Sequence, residues 1–586
     1  MEKWVLLRKG ADFKGIGERF HISPRLAALI RNRDVIGDEA IQSYLNGSIA
    51  DLYDGMLMKD MDKAIEIIDE KIKEEKKIRI IGDYDIDGVC ATYILLEGLR
   101  NIGAKADSDI PDRIKDGYGL NRQLVDRAAT AGVDTIITCD NGIAAAEEIA
   151  YAREQGMTVI VTDHHEVPYI EEGAGRRYCL PPADAVIDPK QEGCMYPFKG
   201  LCGAAVAYKL IEALHEVMGQ DVSDMDYLME VVAVATIGDV MELRGENRIF
   251  VRQGLEMLRR SQNMGLNALI ECTGIDPERL SSYHIGFVIG PCLNAGGRLD
   301  SAKRALELLC AVTKEQADRL AGDLKALNDS RKEMTIRAVA EAVRQIESTK
   351  LIEDKILVVY LPDCHESLAG IVAGRLREKY YRPVIVLTDS EDGVKGSGRS
   401  IESYHMYEAL HKCRHLLSKF GGHELAAGLS LMPDQIEVFR KYINEINELP
   451  EEAFVQKVSI DMKLGIKQMT EEFISELNRL EPFGKGNPKP IFAESDFRVL
   501  NGRILGKNQN VLKLQVADRE ENQIEAMYFG DIERILNYME QKSGGVLQED
   551  ILSGRAGNLK MSFTFYPDIN IYMGRKNIQI IVQNYQ

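Results

Sequence analysis

Four short apolar runs, KIRIIGDYD from Lys77, VDTIITCD from Val133, MTVIVTDHH from Met157 and ADAVIDP from Ala183, alternate with helical stretches. The amphipathic segment MDKAIEIIDEKIKEE leads into the first of them. Such alternation predicts a parallel sheet joined by crossover helices, an α/β fold. Ligands of these sheets bind beyond the carboxyl ends of the strands. Here the first three runs end in Asp or in Asp-His-His, so chemistry-bearing side chains are expected in one crevice.

The rest of the chain divides around that sheet. Residues 1–60 read as a helical preface containing SPRLAALIRNR, and 203–265 as mainly helical, with VVAVATIGDVMEL ending its helix at Gly238-Asp239. A polar helical pattern without Gly or Pro, from about Lys325 to Ser348, predicts a rigid connector. A second α/β unit starts at 354 with DKILVVYLP and PVIVLTD and contains the glycine-rich GVKGSGRS and FGGHELAAG. Residues 458–586 show short β-like stretches (FRVLNGRIL, NVLKLQVAD, IEAMYFG, NIQIIVQ), which predict a small barrel of the OB type. The expected domains are 1–60, 61–310, a connector 311–350, 351–454 and 455–586.

Composition narrows the class. The 586 residues are 45% hydrophobic and 28% charged, which excludes a disordered chain, a collagen-like fibre and a coiled-coil rod. No apolar run approaches the roughly 20 residues of a membrane span, and MEKWVLLRKGADFKG lacks the pattern of a secretory leader. A cytoplasmic protein without membrane or small-molecule cofactor is expected. The ten cysteines form no CxxC pair, so neither disulfides nor structural zinc are expected. The net charge of −19 argues against a polyanionic partner only if it is evenly spread. It is not: residues 1–350 carry 44 basic and 58 acidic side chains, whereas 455–586 carry 17 of each. The acid excess lies where carboxylates could hold cations.

The candidate ligands are Asp83, Asp85 and Asp87 in DYDIDG, Asp140 in TCDNG, Asp163-His164-His165, and Asp239 in IGDV. On an extended segment Asp83, Asp85 and Asp87 would share one face. Singly, each has an ordinary explanation: a solvated acidic turn, the start of a calcium loop, a helix cap, a surface histidine pair. Together they match a need of phosphodiester chemistry, in which two divalent ions roughly 3.5–4 Å apart clamp attacking and leaving oxygens. Oxygen ligands suit Mg²⁺ or Mn²⁺, and an imidazole favours Mn²⁺.

DYDIDG, TCDNG, VTDHH and IGDV, in this order, resemble the motifs of the DHH phosphoesterase superfamily. The blocks YPFKGLCGAAVAYKL, LNAGGRLDSAKRALELL, LNDSRKE, GSGRS, GGHELAAG and LEPFGKGNPKP extend the likeness to nearly the whole chain, toward its single-strand-specific exonuclease branch. The resemblance implies a DHH-type parallel-sheet domain, a long helix, a DHH-associated α/β domain and an OB-like barrel. It implies a metal-dependent exonuclease acting 5′→3′ on single-stranded DNA in recombination and repair, with two Mn²⁺ or Mg²⁺ ions. A single-strand-binding protein and a helicase are the implied protein partners.

Residue by residue, Asp83, Asp85, Asp140, His164 and Asp239 match the family's metal ligands, with Asp85 or Asp140 bridging. His165 matches the histidine beside the scissile phosphate. Asp87, Asn141 and Asp163 fit supporting positions around them. Arg298, Ser397, Arg399, Gly421, Gly422 and His423 match phosphate-contacting positions, where arginine forks and close glycine backbone suit an anion. In the barrel, Phe483, Lys485, Phe492, Arg503, Lys507 and Lys513, with Tyr528 and Phe529, are candidates for strand contacts, although some aromatics must fill the core.

The chain departs from the pattern at Asp188-Pro189, where the family usually has Asn-Pro, and at Gly47 and Gly55, where prolines are common. It also stops at Gln586, short of a tail found in many relatives. Two rivals stay open: a small DHH oligonucleotide or cyclic-dinucleotide phosphodiesterase, which would have no need of the barrel, and a catalytically silent DNA-binding scaffold.

Overall fold

The computed structural model describes residues 2–113, 116–172, 175–391, 393–506, 508–555, 557–572 and 574–586. They form two compact units, one of residues 48–456 and one of residues 1–47 with 457–586.

The larger unit opens on a five-stranded, all-parallel sheet in the order Lys105–Asp109, Lys77–Ile81, Thr135–Cys139, Thr158–Thr162, Ala185–Ile187. The three strands Lys77–Ile81, Thr135–Cys139 and Thr158–Thr162 are rich in Ile, Val and Thr, as suits strands covered on both faces. The edge strand KADSD is polar and had no signal as a strand. Its Asp107 pairs with Arg79 of the next strand at 2.7 Å. Register sets the ends level: Cys139 pairs with Thr162 and Thr162 with Ile187, so Asp140, Asp163 and Asp188 follow at one height.

Helix Ile86–Asn101 is buried almost throughout and packs against helices Gly203–Val217 and Met229–Gly238. Their Leu, Ile, Val and Ala side chains make one continuous core with the sheet. Helix Lys314–Ser348, begun by a Thr313 cap, is 35 residues long and starts earlier than its polar pattern suggested. It leads to a five-stranded sheet in the order Lys419–Gly422, Ala426–Leu431, Gly393–Arg399, Val384–Ser390, Leu357–Tyr360. The glycine-rich GVKGSGR is thus a strand, antiparallel to Val384–Ser390, rather than a turn.

In the smaller unit, Met462–Lys463, Phe492–Leu505, Val511–Ala517, Gln523–Tyr528, Arg575–Tyr585 and Lys560–Tyr572 form one sheet, which Phe492–Leu505 closes on Lys560–Tyr572. Phe492, Phe497, Phe563 and Phe565 fill its core. Residues 1–47 belong here: strand Lys3–Leu6 pairs parallel with Lys457–Ile460, and Leu26, Leu29, Ile30 and Leu45 join the barrel core. Arg33, buried there, donates to Leu29 O and to Pro488 O and pairs with Asp461 at 3.4 Å. All ten cysteines are free. No helix among the described residues is long and apolar enough to cross a membrane.

Candidate active site

The acidic motif DYDIDG is not extended. Strand Lys77–Ile81 ends before it, Asp85 caps helix Ile86–Asn101 by accepting from the N–H groups of Asp87 (3.0 Å) and Gly88 (3.1 Å), and Asp87 lies in the first helical turn. The three carboxylates still converge, because a strand-to-helix turn folds them back where alternation would have lined them up. The capped start of the helix also favours negative charge.

Asp140 is held in a left-handed conformation (φ 58°) beyond its strand, with its N–H on Thr162 O and its carbonyl accepting from Tyr118 OH at 2.8 Å. Gly203 stands so close that a Cβ there would lie 2.7 Å from the Asp140 Cβ. Asn141 ties strand ends together, donating to Ile81 O and Cys139 O and accepting from Leu120 N. Asp163 accepts from the backbone of Ile143, His164 and His165 and lies 2.7 Å from His165 Nδ1.

Three sets of ligand atoms gather within 4.8 Å of one another: Asp83, Asp85 and Asp140; Asp140, His164 and His165; Asp87, His164 and Asp239. Asp140 and His164 each belong to two sets. His164 Nε2 is 3.1 Å from Asp140 and 3.6 Å from Asp87. Asp87 has a second tie, since its two oxygens accept from Gly203 N (2.6 Å) and Ala204 N (2.8 Å), at the start of a helix.

Burial and mutual repulsion load this cluster. Burial, then the Asp85 charge, pushes Asp83 up to about 7. Burial followed by the charges of Asp87 and Asp85 drives Asp140 far above the usual carboxylate range, and burial raises Asp87. Burial holds His164 below the ordinary imidazole value. At His165 burial opposes the charged ring, yet the Asp163 carboxylate outweighs it and lifts the ring to about 9. Burial likewise works to raise Asp163, and the bond from His165 keeps it low. Asp83 Oδ2 and His164 Nδ1 are buried without a hydrogen-bond partner. Buried polar atoms are seldom left so, and a carboxylate oxygen and an imidazole nitrogen are donors that suit Mn²⁺ or Mg²⁺. The residues therefore fit divalent cations.

Asp188 ends the edge strand with one oxygen on Lys190 N (2.7 Å) and the other buried without a partner, and burial pushes it up to about 7. A carboxyl that holds its proton can donate as an Asn amide would.

Beside the cluster, a cavity of about 780 Å³ is lined by Tyr84, Arg113, Arg298, Ser397, Arg399 and Gly421, among others. It unites the two glycine-rich segments of the second sheet with the LNAGGR helix. Arg298 donates to Ser367 O at 3.1 Å. Burial and then the nearby Arg113 and Arg331 push it down to about 10, as befits cations crowded for an anion. Gly422 and His423 follow Gly421 at the strand end and are exposed.

Other barrel candidates separate by exposure. Phe492 is fully buried against Phe473, Phe565 and Tyr566, so the expected strand contact is replaced by a core role: alternation turns it inward. Phe483 packs partly against the same core, and Lys513 pairs with Glu525 at 2.6 Å. Lys485, Arg503 and Phe529 are exposed, Tyr528 is half-buried, and Lys507 lies outside the described residues.

Sequence reasoning missed Tyr118 and Asn294. Tyr118 OH lies 3.3 Å from the His165 ring nitrogens, and Asn294 accepts from Ile86 N at 2.9 Å, holding the acidic turn. Nothing in DGYG marks Tyr118, whereas Asn294 sits in the LNAGGR block.

Comparison with known proteins agrees with this layout. Family models match in order: the DHH family N-terminal domain over 77–236, the DHHA1 domain over 353–448 and the RecJ OB domain over 460–584. The Bacillus subtilis single-stranded-DNA-specific exonuclease RecJ is 36% identical over 99% of this chain and 70% of its own length. The Escherichia coli enzyme of the same name is 32% identical over 96% of both. The crystal structure of Thermus thermophilus RecJ in complex with Mn²⁺ superposes with a TM-score of 0.80 at 26% identity, covering 100% of this chain and 79% of the other. At 36% and 32% identity over nearly its whole length to these two enzymes, the chain belongs to the RecJ family.

Proposed function

We propose that this chain is a metal-dependent exonuclease that removes nucleotides from single-stranded DNA, 5′→3′, in recombination and repair. The observation that carries the proposal is the gathering of carboxylate and imidazole atoms from distant segments into three overlapping sets, each within 4.8 Å. Relatives that align with nearly the whole of this chain are single-stranded-DNA-specific exonucleases by name, and one relative has been crystallised with Mn²⁺.

Asp83, Asp85, Asp140, His164 and Asp239 would hold two Mn²⁺ or Mg²⁺ ions. Bound there, the cations supply Lewis acidity toward water and the phosphodiester oxygens. Asp87, Asn141 and Asp163 keep these ligands in place through backbone bonds at the ends of strands and helices. His165, held by Asp163 at 2.7 Å and near Tyr118, would stand beside the reacting phosphate, where a ring carrying its proton supplies positive charge. Arg298, Ser397, Arg399 and the Gly421–His423 turn grip neighbouring phosphates and orient the strand. The barrel adds reach along the strand through its exposed basic and aromatic side chains.

In this reading the chain is a cytoplasmic enzyme whose residues 1–47, expected as a separate preface, serve instead as part of the barrel unit. A single-strand-binding protein and a helicase are its natural partners by resemblance.

The test is a time course on 5′-labelled and 3′-labelled single strands and on plain duplex, with Mn²⁺, Mg²⁺ or chelator. Release of label from the 5′ end first, silence with chelator and slow attack on duplex are expected. Equal degradation of duplex, or full activity of Asp140→Ala, overturns the proposal.

A further inference from the structure

Arg298 and Ile371 line two cavities at once. One is the large cationic cavity of Ser397 and Arg399; the other, of about 120 Å³, lies among Gly238, Gly286, Gly290, Asn294 and Arg331. Gly238 adjoins Asp239, and Gly286, Gly290, Asn294 and Arg298 place this smaller cavity along the helical stretch of residues 282–299.

That stretch has an unusual build. A π-helical turn, Ile285–Ile289, interrupts it between Ser282–His284 and Gly290–Leu299. Such turns gather at functional sites because the extra residue redirects side chains. Ile285 and Ile289 are buried, while Tyr283 and Phe287 face outward, 62% and 66% exposed. Their rings stack, with centroids 5.0 Å apart and planes at 29°. A single exposed aromatic is commonplace. A stacked pair flanking Gly286, which lines the smaller cavity with Arg298 and Arg331, has the composition with which proteins hold single strands: cations for the backbone, ring faces for the bases.

Building on the function proposed above, we propose that Tyr283 and Phe287 form a stacking platform for bases of the substrate strand. The strand's phosphates run past Arg298 and Arg331, and its bases turn outward onto the two rings. Stacking on ring faces is indifferent to sequence, as a processing exonuclease requires, and it needs unpaired bases, which a duplex withholds.

The test uses the full chain in chelator, so that strands bind without being cut. Dissociation constants are measured for an oligothymidylate and for an oligonucleotide of equal length carrying stable abasic sugars. The Tyr283→Ala/Phe287→Ala double variant is expected to bind the normal strand about tenfold or more weakly. It should bind the abasic strand as the wild type does, and Phe287→Trp should keep normal affinity. Equal affinity of double variant and wild type for the normal strand, or an equal loss on both strands, overturns the platform. A wild type that neither binds nor, with Mn²⁺, degrades the normal strand overturns the functional proposal along with it; a wild type that does both leaves that proposal standing whatever the variants show.

Discussion

His165 Nδ1 and Asp163 Oδ1 lie 2.7 Å apart, and the same oxygen accepts the backbone N–H groups of both histidines. The carboxylate thus fixes the ring's place and its charge together. In metal-free protein His165 should titrate near 9, and in Asp163→Asn it should fall toward its ordinary value of about 6.5. Its folded value lies above the unfolded one, so the stability it contributes is full below about pH 6.5 and disappears as pH rises through 9. Imidazole proton shifts followed from pH 5 to 10 measure both effects, and an unmoved titration in Asp163→Asn would contradict the pairing.

Asp140 is buried among like charges, so Asp140→Asn should relieve repulsion in the metal-free protein. Its melting temperature without metal is expected to equal or exceed that of wild type. Mn²⁺ should stabilise wild type by about 2.7 kcal/mol at a hundred times its dissociation constant and the variant hardly at all. Activity should fall by roughly a thousandfold or more, as when a group shared by a catalytic assembly is lost. Thermal scans with and without Mn²⁺, with hydrolysis rates, check the three expectations.

Glu230, buried in helix Met229–Gly238, accepts from Ser261 Oγ at 2.8 Å and is pushed up to about 7 by burial. A raised carboxyl keeps its proton in the folded state. Stability is therefore highest below about pH 4.5 as far as this group goes, falls between 4.5 and 7, and is flat above. Glu230→Gln cannot ionise and should gain up to about 3 kcal/mol over wild type at pH 8.5, less what the new amide leaves unpaired, with the gap closing near pH 4.5. Urea unfolding at the two pH values reads the difference.

Arg399 lines the large cavity, with Nη1 donating to Gly398 O at 2.8 Å and lying 3.2 Å from Ser397 Oγ. As a phosphate contact, Arg399→Ala should weaken binding to any single strand by about tenfold and reduce the slope of log affinity against log salt by about one. Arg399→Lys restores the charge without the fork and should recover only part. Titrations at several salt concentrations decide it.

The parallel sheet was legible because Ile, Val and Thr recur in runs of strand length that all end in acid, a pattern that neither a helix nor a surface turn produces. Asp140, Asp163 and Asp239 could be placed for the same reason: each follows an element whose type the apolar pattern defines. The polar edge strand Lys105–Asp109 escaped, since its pairing depends on a neighbour, Arg79, that only the register brings opposite Asp107. Tyr118 escaped because a tyrosine in a glycine turn has no period, and its place beside His165 is tertiary. Phe492 was misread for the complementary reason: an aromatic in a barrel strand serves core or surface according to a one-residue phase that the local sequence leaves open.

The attachment of residues 1–47 to the barrel has a consequence for biosynthesis. Ser23 and Glu476, joined by a hydrogen bond, are 453 positions apart, so the helices between Phe13 and Asn46 have no permanent partner until synthesis has passed the intervening residues and reached the barrel. Residues 48–456 can complete their own core in the interval. Residues 1–47, with Leu26, Leu29 and Ile30 uncovered, must be sheltered during that wait, so loss of the barrel strands would strip these distant residues of their core as well.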